Sequence, residues 1–191
     1  MKTKRGLEEA HRGAAAALFW GAFKGKLGPI MRPDAKALSF ITEMIQPGFA
    51  LSAVEDGKLL GVAGFKTRDG GFLAGELSDL ARHYGGFGAA WRGPLLDLFE
   101  RELAEGQLLM DGIFVAEDAR GRGVGTALID AVKAEAVARG CSEVRLDVVE
   151  SNQRARALYE RCGFVLRGEV RAGVMAPLLG FRRAVTMVAQ V

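Results

Sequence analysis

Apolar and polar positions change period several times along the chain, and each change marks a switch between helix and strand. From Glu8 to Lys24 the residues are helix formers, with Ala14 to Ala17, Leu18, Phe19 and Phe23 on an apolar side and Gly25, Gly28 and Pro29 as stop signals. A second helix is predicted from Pro33-Asp34 to Gln46, halted by Pro47-Gly48. Phe49–Val54 and Leu59–Phe65 are apolar runs around Glu55-Asp56-Gly57-Lys58, a hairpin signal because Asp and Gly both tolerate positive φ. Thr67 to Trp91 is glycine-rich with Phe72, Tyr84, Phe87 and Trp91 interspersed, and reads as loops around a short helix at Glu76–His83. Pro94–Ala104 is amphipathic, with Leu95, Leu98, Phe99 and Leu103 on one face. Leu108–Val115 is apolar on both faces except at Asp111, the pattern of a central strand. A glycine-rich turn at Arg120–Gly125 leads into a helix closed by Gly140. Val144, Leu146 and Val148 alternate with polar residues as in a strand, Asn152–Arg161 is a short helix, and Phe164–Arg171 and Phe181–Val191 form a last strand pair.

This order predicts one α/β domain over residues 1–191, a mixed sheet flanked by helices, with a glycine- and aromatic-rich insertion at 67–92. Composition adds one unusual feature. The chain holds 26 glycines but only 5 prolines, which points to sharp turns and close backbone approaches rather than linkers. A net charge of +3 is too small to imply nucleic acid as partner. Cys141 and Cys162 are too few for a disulfide framework and too far apart for a CxxC motif, and no metal-ligand spacing is present. The longest apolar run, Gly13–Phe23, falls short of the roughly 20 residues of a membrane span. Glu8 and Glu9 break the basic region before it, and no small-x-small site follows it, so the expectation is a cytoplasmic protein without a membrane anchor.

The chemistry lies where the central strand meets Arg120-Gly121-Arg122-Gly123-Val124-Gly125-Thr126 and a helix. A glycine-rich turn entering a helix presents unpaired backbone N–H groups at the positive end of the helix dipole, which makes an anion site. The turn lacks the Gly-Lys-Ser/Thr of a phosphate-binding loop and the G-x-G-x-x-G of a dinucleotide fingerprint. A second block, Asn152-Gln153-Arg154-Ala155-Arg156-Ala157-Leu158-Tyr159-Glu160-Arg161-Cys162-Gly163-Phe164, follows the next strand.

Together the blocks resemble the GNAT superfamily of acyl-CoA-dependent N-acyltransferases, with its R/Q-x-x-G-x-G/A and N-x-x-A-x-x-L-Y-x-x-x-G-F patterns. Arg120, Gly123 and Gly125 fill the first; Asn152, Ala155, Leu158, Tyr159, Gly163 and Phe164 fill the second. The resemblance covers Leu108 to Phe164, whereas residues 1–107 match only in the order of their elements. It implies a strongly twisted mixed sheet with acyl-CoA in the split between two central strands. It also implies a cofactor site at Phe114, Val115, Arg120, Gly121, Arg122, Gly123, Val124, Gly125, Thr126, Asn152 and Tyr159. In that family the turn's N–H groups hold the pyrophosphate, Asn152 contacts the CoA arm, the Val115 N–H polarises the thioester carbonyl and Tyr159 is the general acid. The implied reaction is acetyl transfer from acetyl-CoA to a primary amine by direct attack. The alternatives are a non-catalytic acyl-CoA sensor of the same fold and a transferase of another acyl group.

An alkyl amine with a pKa near 10.4 stays protonated at pH 7 by a margin of about 4.6 kcal/mol, so a proton acceptor is wanted. Asp111, acidic in an apolar strand, is the candidate base, since burial would raise its basicity. Glu150, Glu76, His83 and a water chain are its rivals, and His11 reads as surface helix. Tyr84 and Trp91 flank a glycine stretch suited to an acceptor-site lid, and Arg167, Arg171, Arg182 and Arg183 would suit an anionic amine. The acceptor is a small-molecule or peptide amine, and a homodimer is compatible with the sequence.

Overall fold

The computed structural model describes residues 1–97, 103–173, 176 and 181–191. Among the described residues, eight strands, β1 (Lys2–Arg5), β2 (Ala50–Glu55), β3 (Lys58–Thr67), β4 (Gly70–Gly71), β5 (Gln107–Val115), β6 (Glu143–Val149), β7 (Val165–Arg171) and β8 (Arg183–Gln190), are interspersed with five α-helices. The helices are α1 (Arg12–Met31), α2 (Asp34–Met44), α3 (Leu77–Asp97), α4 (Val124–Ala138) and α5 (Gln153–Arg161). The sheet runs β1-β2-β3-β5-β6-β8-β7, with β4 appended to β3. Every neighbouring pair is antiparallel except β5–β6.

That parallel pair positions the site. β5 and β6 are in register only at Gln107–Glu143, Leu108–Val144 and Leu109–Arg145, after which the strands part. β6 stays paired with β8 along its length, from Glu143–Gln190 to Val149–Ala184, and β5 stays paired with β3 as far as Val115. The sheet therefore opens between its two central strands. One apolar cluster packs α4 and α5 on one face, with Leu128, Ile129, Leu146 and Met187 fully buried. A second packs α1, α2 and α3 on the other face of β2, β3 and β5, around Phe19, Ile30, Ile41, Phe72 and Phe114.

Three predicted boundaries move. α1 does not stop at Gly25, Gly28 or Pro29 but runs to Met31, because Ile30 and Met31 are buried and hold its last turn on the core. Its terminal carbonyls, orphaned at a helix end, are taken by the insertion: Tyr84 Oη donates to Met31 O at 2.6 Å and Arg92 Nε to Ile30 O at 2.7 Å. Those anchors explain why the helix expected at Glu76–His83 carries on through 84–93, where loops were expected from the glycines. A kink at Gly85, whose φ of 75° breaks the ladder, separates its two halves. Of the helix expected at Pro94–Ala104, Pro94 to Asp97 close α3, residues 98–102 lie outside the described residues, and Leu103 and Ala104 are not helical. The edge strand β1 was invisible to an apolar pattern because all its residues are exposed.

Candidate functional site

β5 ends at Val115, a short 3-10 turn covers Glu117–Ala119, and α4 begins at Val124 after two left-handed residues, Gly121 with φ 78° and Gly123 with φ 80°. Gly123 is the N-cap and offers no side chain to the helix, so the N–H groups of the first turn have no side-chain cap. A Cβ added at Gly121 or Gly123 would meet no atom within 4 Å, so the backbone here faces open space. This geometry fits a pyrophosphate on the sequence-predicted turn. Gly125 has a different reason: its missing Cβ would lie 3.0 Å from Leu158 Cδ2, so it lets α4 pack against α5. Val124 is buried and can lend only its N–H, whereas Arg120 and Thr126 are exposed. Arg122 is held in an ion pair with Glu55, which the N-terminal amine also reaches at 3.1 Å. The Arg122 guanidinium keeps the Glu55 carboxyl below the usual carboxylate range.

The direction of the Val115 amide follows from the ladder. Ala116 N donates to Leu60 O at 2.9 Å, which makes Gly61–Val115 a non-hydrogen-bonded pair. The N–H of Val115 therefore points away from β3, into the gap left by β6. Two residues earlier, Ile113 faces Ala63 in the same phase, so its N–H enters the gap as well. Sequence reasoning missed Ile113, although the period of two that governs a strand would have found it. Phe114 has the opposite phase: its backbone pairs with β3 and its ring is buried against Phe19 at 5.3 Å and Phe23 at 5.7 Å.

Tyr159 is buried against Phe164, their ring centroids 5.9 Å apart. Desolvation pushes its phenol up to about 12, so the hydroxyl keeps its proton at neutral pH. Asn152 caps α5, its Oδ1 accepting from Ala155 N at 3.2 Å, and its amide group can still offer hydrogen bonds to a ligand.

The burial expected of Asp111 is absent. Gly64 faces Gly112 and Phe65 faces Met110, so Asp111 is the extra residue of a bulge, and its side chain is exposed. Glu150 is also exposed, 4.0 Å from Arg183. His83 is bound to Glu43 at 2.7 Å, Glu76 is exposed at the start of α3, and Tyr84 is anchored to α1 as described above. His11 is buried, not on the surface, with Nε2 2.9 Å from Gly57 O. Among the arginines expected to draw an anion, Arg167 meets Glu143 at 2.7 Å, Arg171 meets Glu169 at 3.8 Å and Arg183 meets Glu150, while Arg182 is exposed. A carboxylate not foreseen, Asp147, sits at the second β6 position past the last β5–β6 pair and accepts from Thr186 Oγ1 at 2.6 Å. Among the described residues, no helix is long and apolar enough to cross a membrane.

The sheet parts between its central strands, with inward-pointing amides on one strand and an open turn suited to an anion at its end. The family model described as "Acetyltransferase (GNAT) family" matches residues 15–164, and the chain belongs to this family. A thialysine N-epsilon-acetyltransferase of Bos taurus is 38% identical over 56 residues, which are 29% of this chain and 33% of that protein. The chain thus spans a third of the length of the curated relatives it matches. An N-acetyltransferase from Staphylococcus aureus shares the fold at TM-score 0.70 and 14% identity, over 99% of this chain and 100% of the other. An acetyltransferase from Bacillus subtilis in complex with CoA does so at TM-score 0.50 and 15% identity, over 74% and 76% of the two chains.

Proposed function

We propose that the protein transfers the acetyl group of acetyl-CoA to a primary amine by direct attack. The carrying observation is the opened β5–β6 pair, with the Ile113 and Val115 amides aimed into it and the uncapped turn of α4 at its end. Acetyl-CoA supplies an acyl thioester already activated towards an amine. The turn from Gly121 to Thr126 would bind the pyrophosphate through backbone N–H groups and the α4 dipole, with Arg120 adding charge from the exposed side. The Val115 amide, with Ile113 beside it, would stabilise charge growing on the thioester oxygen, a role worth about 10²–10³ in rate where single donors have been removed.

Tyr159 lies on the α4–α5 side of the sheet and carries a proton that burial keeps in place, which suits a donor to the departing sulfur. Asp111, exposed beside the opening, acts here by attracting the acceptor's ammonium, with the proton leaving to water. An amine acceptor agrees with the name of the cattle relative, a thialysine N-epsilon-acetyltransferase. The test is a panel of primary amines with acetyl-CoA, following thiol release and the mass of the product. Stoichiometric thiol and acetyl-amine are expected. Binding of CoA, seen as stabilisation of about 2.7 kcal/mol at a hundredfold excess over Kd, with no thiol from any amine would overturn the transferase reading.

A further inference from the structure

β7 closes one edge of the sheet, and among the described residues no strand lies in register along its outer side. It is seven residues long, has neither lysine nor proline to blunt that edge, and leaves Val165, Leu166 and Val170 exposed. Its bulge lies between Leu166 and Gly168, so Gly168 to Arg171 run regularly beside β8. Ala172 N donates to Arg182 O at 3.0 Å, which sets the phase of the ladder. Val170–Ala184 and Gly168–Thr186 are then hydrogen-bonded pairs, whereas Arg171–Arg183 and Glu169–Val185 are not. The N–H and C=O groups of Glu169 and Arg171 therefore point outward, away from β8. Arg171 also stands directly opposite Arg183, like charge against like. Each of these arginines has its carboxylate only at the limit of an ion pair, Glu169 at 3.8 Å from Arg171 and Glu150 at 4.0 Å from Arg183.

From this arrangement we infer that β7 is a self-association edge, and that its partner is a second copy of this chain, paired antiparallel about a two-fold axis through Val170. That register sets Glu169 of each copy opposite Arg171 of the other. These are the residues whose backbone groups point outward, so each such pair exchanges both of its hydrogen bonds. Their side chains share one face, being two residues apart in a strand, and meet as opposite charges. Each Arg171, faced by Arg183 in its own sheet, thereby gains a carboxylate on its other side. Val170 meets its own copy at the axis, a non-hydrogen-bonded pair whose Cα atoms approach to about 4.5 Å, so two exposed valines leave water together. Of the neighbouring axes in phase with the same amides, those through Glu169 and Arg171 would each set like charges together. The shared edge is short, which makes a weak, concentration-dependent dimer and not an obligate one. None of this depends on the acetyl-transfer reading.

Sedimentation equilibrium of the full chain over a concentration series tests this. The weight-average mass is expected to rise from that of a monomer towards that of a dimer. Glu169→Arg and Arg171→Glu each turn both cross-copy pairs into like-charge pairs, and each should raise the dimer Kd about tenfold or more while circular dichroism shows the fold intact. An equimolar mixture of the two variants sets Arg against Glu at both pairs again, so a heterodimer with nearly the wild-type Kd should return. Val170→Cys, in a Cys141→Ser/Cys162→Ser background, should form a disulfide with its own copy on oxidation, and Gly168→Cys, whose counterpart is Ala172, should not. A wild type that stays monomeric up to about 1 mM would overturn the inference. So would a Kd that neither reversal moves, a loss in both variants that mixing does not restore, or cross-linking through Gly168→Cys in place of Val170→Cys.

Discussion

Removal of one oxygen atom from Tyr159 separates two roles for that residue. A thiol has a pKa near 8.5, and the Tyr159 phenol is pushed up to about 12 by burial. Complete transfer of its proton to the departing thiolate is therefore uphill by about 3.5 units, roughly 5 kcal/mol. The phenol can still donate a hydrogen bond to the sulfur as negative charge builds on it, and such bonds to charged groups are worth about 1.5–3 kcal/mol. Tyr159→Phe is accordingly expected to lower kcat by about ten- to a hundredfold with little change in the KM for acetyl-CoA. The assay is thiol release at saturating amine across pH 6–9, where the phenol stays protonated and should add no limb to the profile. An unchanged kcat throughout that range would remove Tyr159 from the chemistry. The same substitution has a stability signature. Because the folded-state pKa is raised, the folded chain retains a proton that the unfolded chain loses above about pH 10. The wild type should then lose about 3 kcal/mol of stability between pH 10 and 12 through this hydroxyl, and the Phe variant should not. Equal alkaline unfolding curves for the two proteins would contradict a deeply buried hydroxyl.

Three further outcomes follow from the turn. Gly123→Ala forces a left-handed cap on a residue with a Cβ, at a cost of about 1–2 kcal/mol, and places that Cβ in the open space proposed to take the pyrophosphate. A lower Tm and a raised KM for acetyl-CoA are both expected, and an unchanged KM would move the anion elsewhere. Gly125→Ala should destabilise by about 1 kcal/mol through Leu158, with the penalty relieved in a Leu158→Ala background; additive losses in denaturant melts would refute that contact. Glu55→Gln releases Arg122 from its ion pair, and the KM for acetyl-CoA should fall severalfold at low salt and converge with wild type at high salt, whereas a KM unmoved at low salt would show that Arg122 does not serve the ligand.

The second half of the chain was legible because its local signals agree with its tertiary setting. The alternation of Val144, Leu146 and Val148, the glycine turn and the short helix ending at Arg161 each appear in the structure where the pattern placed them. The first half was harder because tertiary contacts override local preference. Gly85, Gly86 and Gly88 discourage a helix by about 1 kcal/mol each, yet α3 forms around them because Tyr84 and Arg92 satisfy carbonyls of α1 that lie far away in sequence. Asp111 shows a different limit. An acidic residue in an apolar strand suggests burial, but the one-residue bulge opposite Phe65 leaves it exposed, and a bulge leaves no mark in hydropathy.

The central claim is that CoA lies along the inner edge of β5 with its pyrophosphate on the turn before α4. Backbone amide mapping by NMR, on titration of the ¹⁵N-labelled protein with CoA, tests it residue by residue. The largest shifts are expected at Gly121 to Thr126 and at Ile113 and Val115, with Phe114, whose amide is paired to β3, moving less than either strand neighbour. Saturable shifts that leave 121–126 and both β5 amides in place would contradict it.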